Sequence, residues 1–369
     1  MKIGIDAHAL GSRSAGNESY YVQLLRALAC HQSNGDRYII YFTHREGEKQ
    51  IPSCEQFQVK RIWPTNPYLR IPFAFPLECR RENLDVFHAQ YILPPFCKPR
   101  SVTTIADILF EGHPELFSSV ERLKFGILFP WSARRSDHII TVSQFSKNDI
   151  VNRYHVDPDR VTVVYEAPRK EFRQMDVDHC REILAREYDI RLPFILYVGR
   201  INARKNLERL VEALAILSGK GFPHQLVIVG KQDWMAGRVL QKVRDLSLDS
   251  KVRFVGYVPT DHLPVFYNAA SLFVYPSVCE GFGIPLVEAM ACGVPVVTSF
   301  GSSLQEVASE AAVLADPYSV SSIANAMEKV LSDGLFAREL REKGLRRARE
   351  FSEARKAQET IDVYHRVCG

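Results

Sequence analysis

The chain has 369 residues, of which 46% are hydrophobic and 24% charged, and it carries a formal net charge of +4. This length is too great for one ordinary core and suits two domains of about 150 to 200 residues each. The composition is typical of a globular protein and excludes a disordered chain. The first strand already reaches Asp6, and no apolar run approaches the roughly 18 residues of a spanning helix, so we expect neither a secretory leader nor a membrane-embedded protein.

The excess of basic residues lies wholly within residues 1–170. It is too small for a nucleic-acid-binding protein, which concentrates Lys and Arg on one face. It suits an anionic small molecule or peripheral contact with an anionic membrane surface. The eight cysteines form no C-x-x-C pair, which is typical of reduced thiols rather than of a disulfide framework or a zinc site. We therefore expect a cytoplasmic protein, free to lie at the inner face of the membrane, with no nucleic-acid partner.

The first half of the chain alternates apolar strands with helices. Its strand candidates are rich in β-branched residues without polar alternation, which is typical of a parallel sheet buried on both faces. A glycine-bearing loop at residues 11–16 follows the first strand. The predicted strands are Lys2–Asp6 and residues 38–42, 85–88, 102–105, 138–142 and 161–165, and the predicted helices are residues 18–30, 120–135 and 144–154.

The second half repeats this pattern after a polar, charged linker at residues 168–192. Strands that alternate with helices of 10 to 15 residues indicate βαβ units and a doubly wound sheet. The predicted strands are Phe194–Val198, Gln225–Val229, Leu272–Tyr275 and residues 252–255 and 295–298, and the predicted helices are residues 206–217, 236–246, 261–269, 285–292, 335–350 and 351–367.

We predict an α/β protein of two Rossmann-like domains that face each other across a cleft, because open α/β sheets bind ligands at the carboxyl ends of their strands. The first domain would comprise residues 1–170, completed by the C-terminal helix 352–369, and the second would comprise residues 171–351. Residues 63–81 combine four prolines with aromatic and basic residues. They are interpreted either as a surface loop over the core or as an acceptor-side wall of the cleft.

Residues 275–298 are the most informative stretch, and they predict a strand, a loop, a helix and a strand in turn. Pro285 suits the first helical position, and Gly293 suits the position just past the helix end. The loop after Glu280 would then present backbone N–H groups at a helix N-terminus, where phosphate oxygens or sugar hydroxyls bind. Glu288 lies about one turn into the helix. Either glutamate alone would be equally compatible with a local capping or helix-dipole role.

The segment from Glu280 to Glu288, with the sequence EGFGIPLVE, resembles the signature of retaining glycosyltransferases with the GT-B fold, specifically glycosyltransferase family 4. The resemblance runs from residue 2 to about residue 366 and is most specific between residues 197 and 306. It implies the GT-B architecture. Four further segments are similar to motifs of that family, namely residues 140–146, 197–207, 254–258 and 302–306.

The resemblance implies a role for each matching residue. Arg200 and Lys205 would neutralise the donor diphosphate and stabilise the departing nucleoside diphosphate. Glu280 would hold hydroxyls of the donor sugar, and Glu288 would bind those of the nucleotide ribose. In the first half, Gly16 would let the loop before the first helix approach the diphosphate. The remaining implied donor-binding residues are Tyr257, Val258, Gly281, Phe282, Gly283 and Ile284.

The chemistry of such a transfer is consistent with these roles. A diphosphate leaving group accumulates negative charge as the glycosidic bond breaks, so cations and aimed N–H groups are needed around it. Arg200 and Lys205 lie five positions apart, at a predicted strand end and helix start, and could converge on one anion. Considered by themselves, they are equally compatible with two solvated cations.

Position 106 departs from the family pattern. The predicted strand at 102–105 ends in Ala106-Asp107, where the family usually has His-Asp and where the histidine contacts the donor sugar and the reaction centre. Ala106 therefore predicts reduced catalytic competence, and the sequence does not say whether the alanine is natural or introduced. Asp107, Ser143 and the strand-end His88 are further candidate cleft contacts, although His88 is equally compatible with a satisfied polar residue of the core.

The implied activity is the transfer of a hexose, with retained anomeric configuration, from a nucleotide sugar to a glycan or lipid-linked saccharide. GDP-mannose is favoured over a UDP-hexose as donor. Two alternatives stay open: a nucleotide-sugar epimerase of the same fold, and a catalytically weakened sugar-nucleotide-binding protein. We expect no cofactor and no metal, because the D-x-D triplets at residues 157–159 and 176–178 are typical of a turn and a linker.

Overall fold

The structure is a computed structural model, and it describes residues 1–12, 15–31, 35–97, 99–191, 193–231 and 236–369. The chain divides into two units. The first unit is residues 1–167 with 352–369, and the second unit is residues 168–351. Each unit is built on a wholly parallel β-sheet with helices connecting its strands, which confirms the predicted α/β class.

The sheet of the first unit has seven strands in the order β3-β2-β1-β4-β5-β6-β7. Its direction of growth reverses at β1, because β2 lies on one side of β1 and β4 on the other. This reversal is a topological switch point, where the carboxyl ends of neighbouring strands leave room for a ligand. The strands are β1 (Lys2–Asp6), β2 (Arg37–Phe42), β3 (Phe57–Arg61), β4 (Val86–Gln90), β5 (Arg100–Thr104), β6 (His138–Thr141) and β7 (Val161–Val163).

In the described part of the first unit, seven α-helices lie between these strands. The long helix at residues 119–135 begins with a capping box, in which Ser118 and Glu121 satisfy each other's backbone N–H groups. The helices are α1 (Ala15–Cys30), α2 (Arg45–Glu48), α3 (Pro67–Leu69), α4 (Phe75–Arg81), α5 (Leu109–Gly112), α6 (Ser119–Arg135) and α7 (Gln144–Tyr154).

Residues 67–81 form a continuous helical segment, in which a π-helical turn at Arg70–Ala74 joins α3 to α4. The interpretation of residues 67–81 as a surface loop was therefore wrong, whereas the interpretation as an acceptor-side wall stays a prediction. Pro67 lies in the first turn of this segment, where a missing N–H costs nothing. Pro76 lies at the start of α4, directly after the π-helical turn. Pro72 lies in the π-helical turn, where the regular helical ladder is already interrupted.

The sheet of the second unit has six strands in the order β10-β9-β8-β11-β12-β13. Strand β8 is central and wholly buried, since its sequence FILYV is apolar throughout. It is flanked by β9 and β11, so that the switch point of this sheet lies between β8 and β11. The strands are β8 (Phe194–Val198), β9 (Gln225–Val229), β10 (Val252–Gly256), β11 (Leu272–Tyr275), β12 (Val296–Ser299) and β13 (Val313–Ala315).

Some helices of the second unit contact its strands, and others pack on neighbouring helices. The buried positions of the helix at residues 207–219 recur at intervals of three and four, as an amphipathic helix requires. The helices are α8 (Val177–Glu187), α9 (Leu207–Gly219), α10 (Ala236–Asp245), α11 (Leu263–Ala269), α12 (Ile284–Cys292), α13 (Ser303–Ala308), α14 (Val320–Ser332) and α15 (Gly334–Ala348).

The last helix, α16 (Glu353–Cys368), belongs to the first unit. Its Lys356 is buried, with Nζ 2.7 Å from Glu166 Oε2 and 4.6 Å from the ring centroid of Tyr20. Tyr364 of the same helix is buried in the hydrophobic cluster that contains β1. The core of the first unit therefore requires residues from both ends of the chain.

We did not predict β3, β13, α8, α13 or α14, nor the short helices α2 and α5. Strand β3 lies at the edge of its sheet and is largely exposed, and β13 has only three residues. Helix α8 lies within the segment that we predicted to be a linker. It was missed because it buries only Cys180 and Leu184. No helix among the described residues is long and apolar enough to cross a membrane.

Candidate active site

The loops that leave β8 and β11 meet at the switch point of the second sheet. The Asn206 side-chain amide donates to the carbonyl oxygens of Pro276 and Pro317, at 3.0 and 2.6 Å. The backbone N–H of Val278 donates to the carbonyl oxygen of Arg204 at 2.8 Å. The bonds to Pro276 and from Val278 hold together two loops that are about 70 residues apart in the chain, and the bond to Pro317 adds the loop that follows β13.

A buried charge cluster occupies this junction. Lys205 Nζ lies 2.5 Å from Glu280 Oε1 and also donates to the hydroxyl of Tyr275. Arg204 Nη1 lies 2.8 Å from the other carboxylate oxygen of Glu280 and 3.3 Å from the carbonyl oxygen of Cys279. Glu280 and Lys205 are both buried. Two cations therefore share one carboxylate at the carboxyl edge of the sheet.

The electrostatics of the cluster favour an ionised carboxylate. Burial raises the pKa of Glu280, but the charges of Arg204 and Lys205 outweigh it and hold the pKa below its usual value. Burial lowers the pKa of Lys205 to about 8, helped by the positive charge of Arg204 and opposed by Glu280. Lys205 is therefore mainly protonated at neutral pH, and its positive charge is poorly solvated because the side chain is buried.

Helix α12 begins beside this cluster. Its N-cap residue is Gly283, with φ of 97°, a left-handed conformation that glycine adopts without strain. Glycine has no side chain to cap the first-turn N–H groups, and a Cβ on this residue would lie 2.4 Å from Leu304 Cδ2. Helix α12 starts at Ile284, so Pro285 is one position later than predicted, and Gly293 ends the helix as predicted. The uncapped helix start is suited to an anion.

Glu288 lies in α12 and has partners different from those of Glu280. It is buried, and the hydroxyl of Tyr267 donates to its Oε2 at 3.2 Å. Burial raises the pKa of Glu288 to about 7, although the charge of Arg169 and the bond from Tyr267 oppose the rise. The two glutamates of the motif therefore occupy separate environments, one charge-paired and one desolvated.

The other predicted donor-binding residues of the second unit lie near strand ends. The Arg200 side chain is exposed just after β8, and its carbonyl oxygen accepts from the Tyr197 hydroxyl at 3.0 Å. Tyr257, just after β10, is 77% exposed, whereas Val258 is buried. Gly281 and Phe282 are buried, and Ile284 is partly buried.

The structure pairs Lys205 with Arg204 and not with Arg200 around the carboxylate of Glu280. Sequence reasoning assigned no role to Arg204. The signal was present as the dipeptide Arg204-Lys205 inside the motif that resembles a diphosphate clamp. The two residues lie in a 3₁₀ turn at Ala203–Lys205, from which both side chains reach the carboxylate of Glu280.

In the first unit, His88 lies in the core. Its Nδ1 lies 2.7 Å from the hydroxyl of Tyr364, and its Nε2 lies 2.7 Å from Thr104 Oγ1. Burial lowers the pKa of His88 to about 3. Both ring nitrogens thus have partners inside the unit, which supports the interpretation as a satisfied polar residue of the core. Ser143 is buried and caps α7 by accepting from the backbone N–H of Ser146 at 3.0 Å.

Three further predicted positions of the first unit lie in or near loops. Ala106 follows β5, is partly buried, and accepts at its carbonyl oxygen from Thr141 Oγ1 at 3.3 Å. Asp107 accepts from the backbone N–H of Leu109 at 3.3 Å. Gly16 is exposed in the first turn of α1 rather than in the loop before it. Residues 13 and 14 of that loop lie outside the described residues.

The two D-x-D triplets have local partners. Asp157 accepts from the N–H of Asp159 at 2.9 Å and starts a 3₁₀ turn. Asp176 caps α8, and Asp178 pairs with Arg181 at 3.1 Å. Within the described part of the chain, no group of three or more His, Cys, Asp and Glu side chains is arranged to hold a metal ion.

Both halves of the chain match family models. Residues 15–167 match the model described as Glycosyltransferase Family 4, and residues 184–350 match the one described as Glycosyl transferases group 1. The O-antigen chain mannosyltransferase B of Escherichia coli is 31% identical over 281 residues, which cover 76% of this chain and 74% of that protein. The serotype-specific mannosyltransferase WbdA of Escherichia coli is 33% identical over 237 residues, or 63% of this chain. The aligned part is 29% of WbdA, so this chain matches less than a third of that relative's length.

A solved structure of similar fold covers almost the whole chain. Sucrose-phosphate synthase from Thermosynechococcus elongatus superposes with a TM-score of 0.81 over 99% of this chain and 98% of that chain, at 22% identity. Two doubly wound parallel sheets of this kind define the GT-B class of glycosyltransferases. Within that class, the chain belongs to glycosyltransferase family 4, as the sequence motifs predicted.

Proposed function

We propose that this glycosyltransferase is a retaining, metal-independent enzyme that transfers mannose to a glycan or lipid-linked saccharide. The proposed donor is GDP-mannose, in preference to a UDP-hexose. The observation that carries the proposal is the buried cluster of Lys205, Arg204 and Glu280 beside the uncapped start of α12. The relatives named above, which are mannosyltransferases, support mannose as the sugar.

The cations of the second unit would stabilise the leaving group. In the proposed reaction the bond from the anomeric carbon to the donor phosphate breaks, and the diphosphate leaves with the electron pair. Arg200 and Lys205 would neutralise the charge that develops on it, together with the N–H groups at the start of α12. Arg204 adds a third cation, whose position is fixed by Glu280. These charges belong to the chain, so no step of the proposal uses a metal ion.

The acceptor hydroxyl would attack on the face from which the leaving group departs, so that the anomeric configuration is retained. The departing phosphate would take the proton of that hydroxyl. Glu280 is held ionised by its two cations, and a carboxylate accepts hydrogen bonds from sugar hydroxyls. Glu288 would bind the ribose hydroxyls in the same way, provided that its carboxyl is ionised.

Two alternatives remain testable. No observation favours the epimerase, which would isomerise the donor without an acceptor. Ala106, where the family usually has histidine, favours the second alternative, a protein that binds the donor but transfers the sugar slowly.

We also propose that the protein works in the cytosol at the inner face of the membrane. Its eight free cysteines are consistent with a reducing compartment.

A panel of nucleotide sugars distinguishes these functions. The protein is incubated with GDP-mannose, GDP-glucose, UDP-glucose and UDP-galactose, each with and without mannose-containing saccharides. We expect free GDP and an extended saccharide with GDP-mannose alone, and an α-linked product by NMR. An isomerised nucleotide sugar would identify the epimerase. Thermal stabilisation without turnover by any donor would identify the binding protein, and both results would contradict the proposal.

A further inference from the structure

Two cysteine side chains of the first unit are in contact. Cys79 lies in α4 and Cys97 lies in the connection between β4 and β5, and their sulfur atoms are 3.2 Å apart. Both are free thiols. A disulfide bond has an S–S length of about 2.05 Å, so the two sulfurs would need to approach each other by only about 1 Å. The fold therefore places these two thiols within reach of a covalent bond.

The hydrophobic core of the first unit fixes the positions of both thiols. Cys79 is 2% exposed and lies in a cluster of buried residues that includes Phe75 and Leu93. Cys97 is partly buried and packs against the same cluster. Leu93 belongs to the same connection as Cys97, and its backbone N–H donates to the Ser132 hydroxyl of α6. The contact is therefore held by packed structure on both sides and is not a chance approach of two surface side chains.

The two thiols differ in their access to solvent. Cys97 is partly exposed, so a small dissolved oxidant can reach its sulfur. Cys79 is shielded by the core, and the hydrogen bond with Cys97 and burial raise the pKa of its thiol. Cys79 therefore stays protonated and does not react with the oxidant first. An accessible thiol beside a shielded one suits a pair in which the first is oxidised and the second resolves the product.

The pair lies away from the edge of the sheet that suits a ligand. Cys79 is in the last turn of α4, shortly before β4 begins, and Cys97 lies shortly before β5 begins. Both thiols therefore lie toward the amino ends of these two parallel strands. Ligands of open α/β sheets bind at the carboxyl ends. A bond between the two sulfurs would leave that edge of the first sheet open.

We propose that Cys79 and Cys97 are a modification site at which a peroxide forms a reversible disulfide within the chain. The peroxide first transfers one oxygen atom to the Cys97 sulfur, which becomes a sulfenic acid, while the O–O bond breaks and water leaves. The Cys79 sulfur then bonds to the Cys97 sulfur, the S–O bond breaks, and the hydroxyl group leaves as water with the Cys79 proton. Two thiols and one hydrogen peroxide thus give one disulfide and two water molecules. A dithiol reductant restores both thiols by thiol–disulfide exchange.

The disulfide would close a loop of the chain that contains all of β4. The two cysteines are 18 positions apart, and a cross-link at this separation removes conformational freedom from the unfolded chain. The oxidised protein is therefore more stable than the reduced one. The bond also protects the Cys97 sulfur from irreversible oxidation to sulfinic and sulfonic acids. Neither thiol has a role in the proposed transfer, so the inference does not depend on the proposed function.

Peptide mapping of the full chain tests the site. The purified chain is reduced, freed of reductant and treated with hydrogen peroxide, and the remaining thiols are then alkylated. Trypsin cuts after Arg80 and Arg81, so the two cysteines fall in separate peptides. We expect these two peptides to be recovered as a linked pair, two hydrogen atoms lighter than their reduced forms together. Dithiothreitol should separate the pair.

Thermal unfolding gives a second readout. Oxidation should raise the melting temperature by about 5 °C, because the bond restricts the unfolded chain, and dithiothreitol should reverse the rise. Cys97→Ser should give neither the linked peptides nor the rise. Cys54→Ser, at another partly buried cysteine of the first unit, is the matched control and should give both.

Two results would overturn the inference. The first is that peroxide oxidises the exposed Cys30 and Cys368 while Cys79 and Cys97 are both still alkylated. The second is that Cys97 is recovered as a sulfinic acid and Cys79 as a free thiol, because Cys79 would then not resolve the sulfenic acid. Sugar transfer by reduced Cys97→Ser should equal that of the unchanged chain. The inference and the proposed function can therefore fail independently.

Discussion

The Lys205 ammonium lies 2.5 Å from the Glu280 carboxylate, although the two residues are 75 positions apart in the chain. They meet because β8 and β11 are neighbours at the switch point of the second sheet. A buried ion pair contributes little net stability, since desolvation offsets the Coulombic attraction. What the pair does provide is a fixed position for a cation at the edge where open α/β sheets bind their ligands.

If Arg200 and Lys205 bind the donor diphosphate, replacing either should lower turnover, but only the Lys205 variant should also lower the melting temperature. Lys205→Ala and Arg200→Ala should each lower turnover by about a hundredfold or more, the loss of one well-placed stabilising contact. Arg200 is exposed, so its variant should keep the melting temperature. Lys205→Ala should also lower that temperature, because Glu280 loses a buried partner.

The measurement is steady-state transfer together with thermal unfolding. Lys220→Ala, which breaks a partly exposed pair with Glu328, is the matched control and should change neither quantity appreciably. Wild-type turnover in a well-folded Lys205 or Arg200 variant would mean that these cations do not bind the diphosphate.

The two motif glutamates should have separable roles. Glu280→Gln should lower turnover with a smaller effect on nucleoside-diphosphate affinity, because its carboxylate is assigned to the donor sugar. Glu288→Gln should weaken nucleotide affinity, because this side chain is assigned to the ribose. Initial rates and calorimetric titration with GDP measure the two effects. If both variants change both quantities equally, the division of roles is incorrect.

The buried carboxyl of Glu288 should make stability depend on pH. Its pKa is about 7 in the folded protein against 4.5 for an ordinary glutamate. Between these values the folded state binds the extra proton, so this group's contribution to the free energy of unfolding falls as pH rises through the window. Glu288→Gln should remove that fall, which amounts to about 3 kcal/mol at most.

Urea unfolding of both proteins at several pH values between about 4.5 and 8 measures this difference. The stability of Glu288→Gln relative to the unchanged chain should increase with pH across the window and level off above it. The exposed Glu310 offers a matched control, since Glu310→Gln should leave the profile unaltered. Parallel profiles for the chain and for Glu288→Gln would show that the carboxyl titrates normally.

Replacing Ala106 should restore catalysis if the family comparison holds at this position. A methyl group cannot hydrogen-bond a sugar hydroxyl, whereas an imidazole can, and the loss of such a group costs about a hundredfold. Ala106→His should therefore raise turnover at least about tenfold while GDP affinity stays within a few fold. Ala106→Phe, large but without a ring nitrogen, is the control. An unchanged rate would indicate a reaction centre built without this position.

Transfer should not depend on added metal. The proposed charge stabilisation comes from Arg200, Lys205 and Arg204, and the D-x-D aspartates are used for local capping. Activity should therefore survive an excess of EDTA. Loss of activity with EDTA that Mn²⁺ or Mg²⁺ restores would refute a metal-independent mechanism.

The alternation of apolar strands and helices was sufficient to predict the α/β class, and it located β1 and β8 at their observed bounds. Both strands are buried on two faces, so their composition alone identifies them. Some of the missed elements bury little, as with α8 and the edge strand β3. Helix α14 was missed although its buried residues recur at helical spacing. Prolines misled us at residues 67–81, because a proline in a first turn or a π-helical turn does not end a helix.

The candidate site was predictable only as far as local motifs reach. The loop and helix that carry Glu280 follow from residues next to one another in the chain. The contact of Arg204 with Glu280 depends on which strands are neighbours and on a 3₁₀ turn, and neither is visible in hydrophobic periodicity. The burial of His88 depends on Tyr364, 276 positions away, so a strand-end position alone could not distinguish a core residue from a ligand contact.

The first unit cannot complete its fold during protein synthesis until helix α16 has been made. Residues 168–351 are translated between β7 and this helix, which takes roughly ten to forty seconds at ordinary elongation rates. Throughout that interval the nascent first unit has Glu166 without Lys356 and His88 without Tyr364. The second unit is continuous in sequence and can fold before α16 reaches the first unit. Chains truncated after residue 351 and released from the ribosome should therefore contain a protease-resistant second unit and a protease-sensitive first unit.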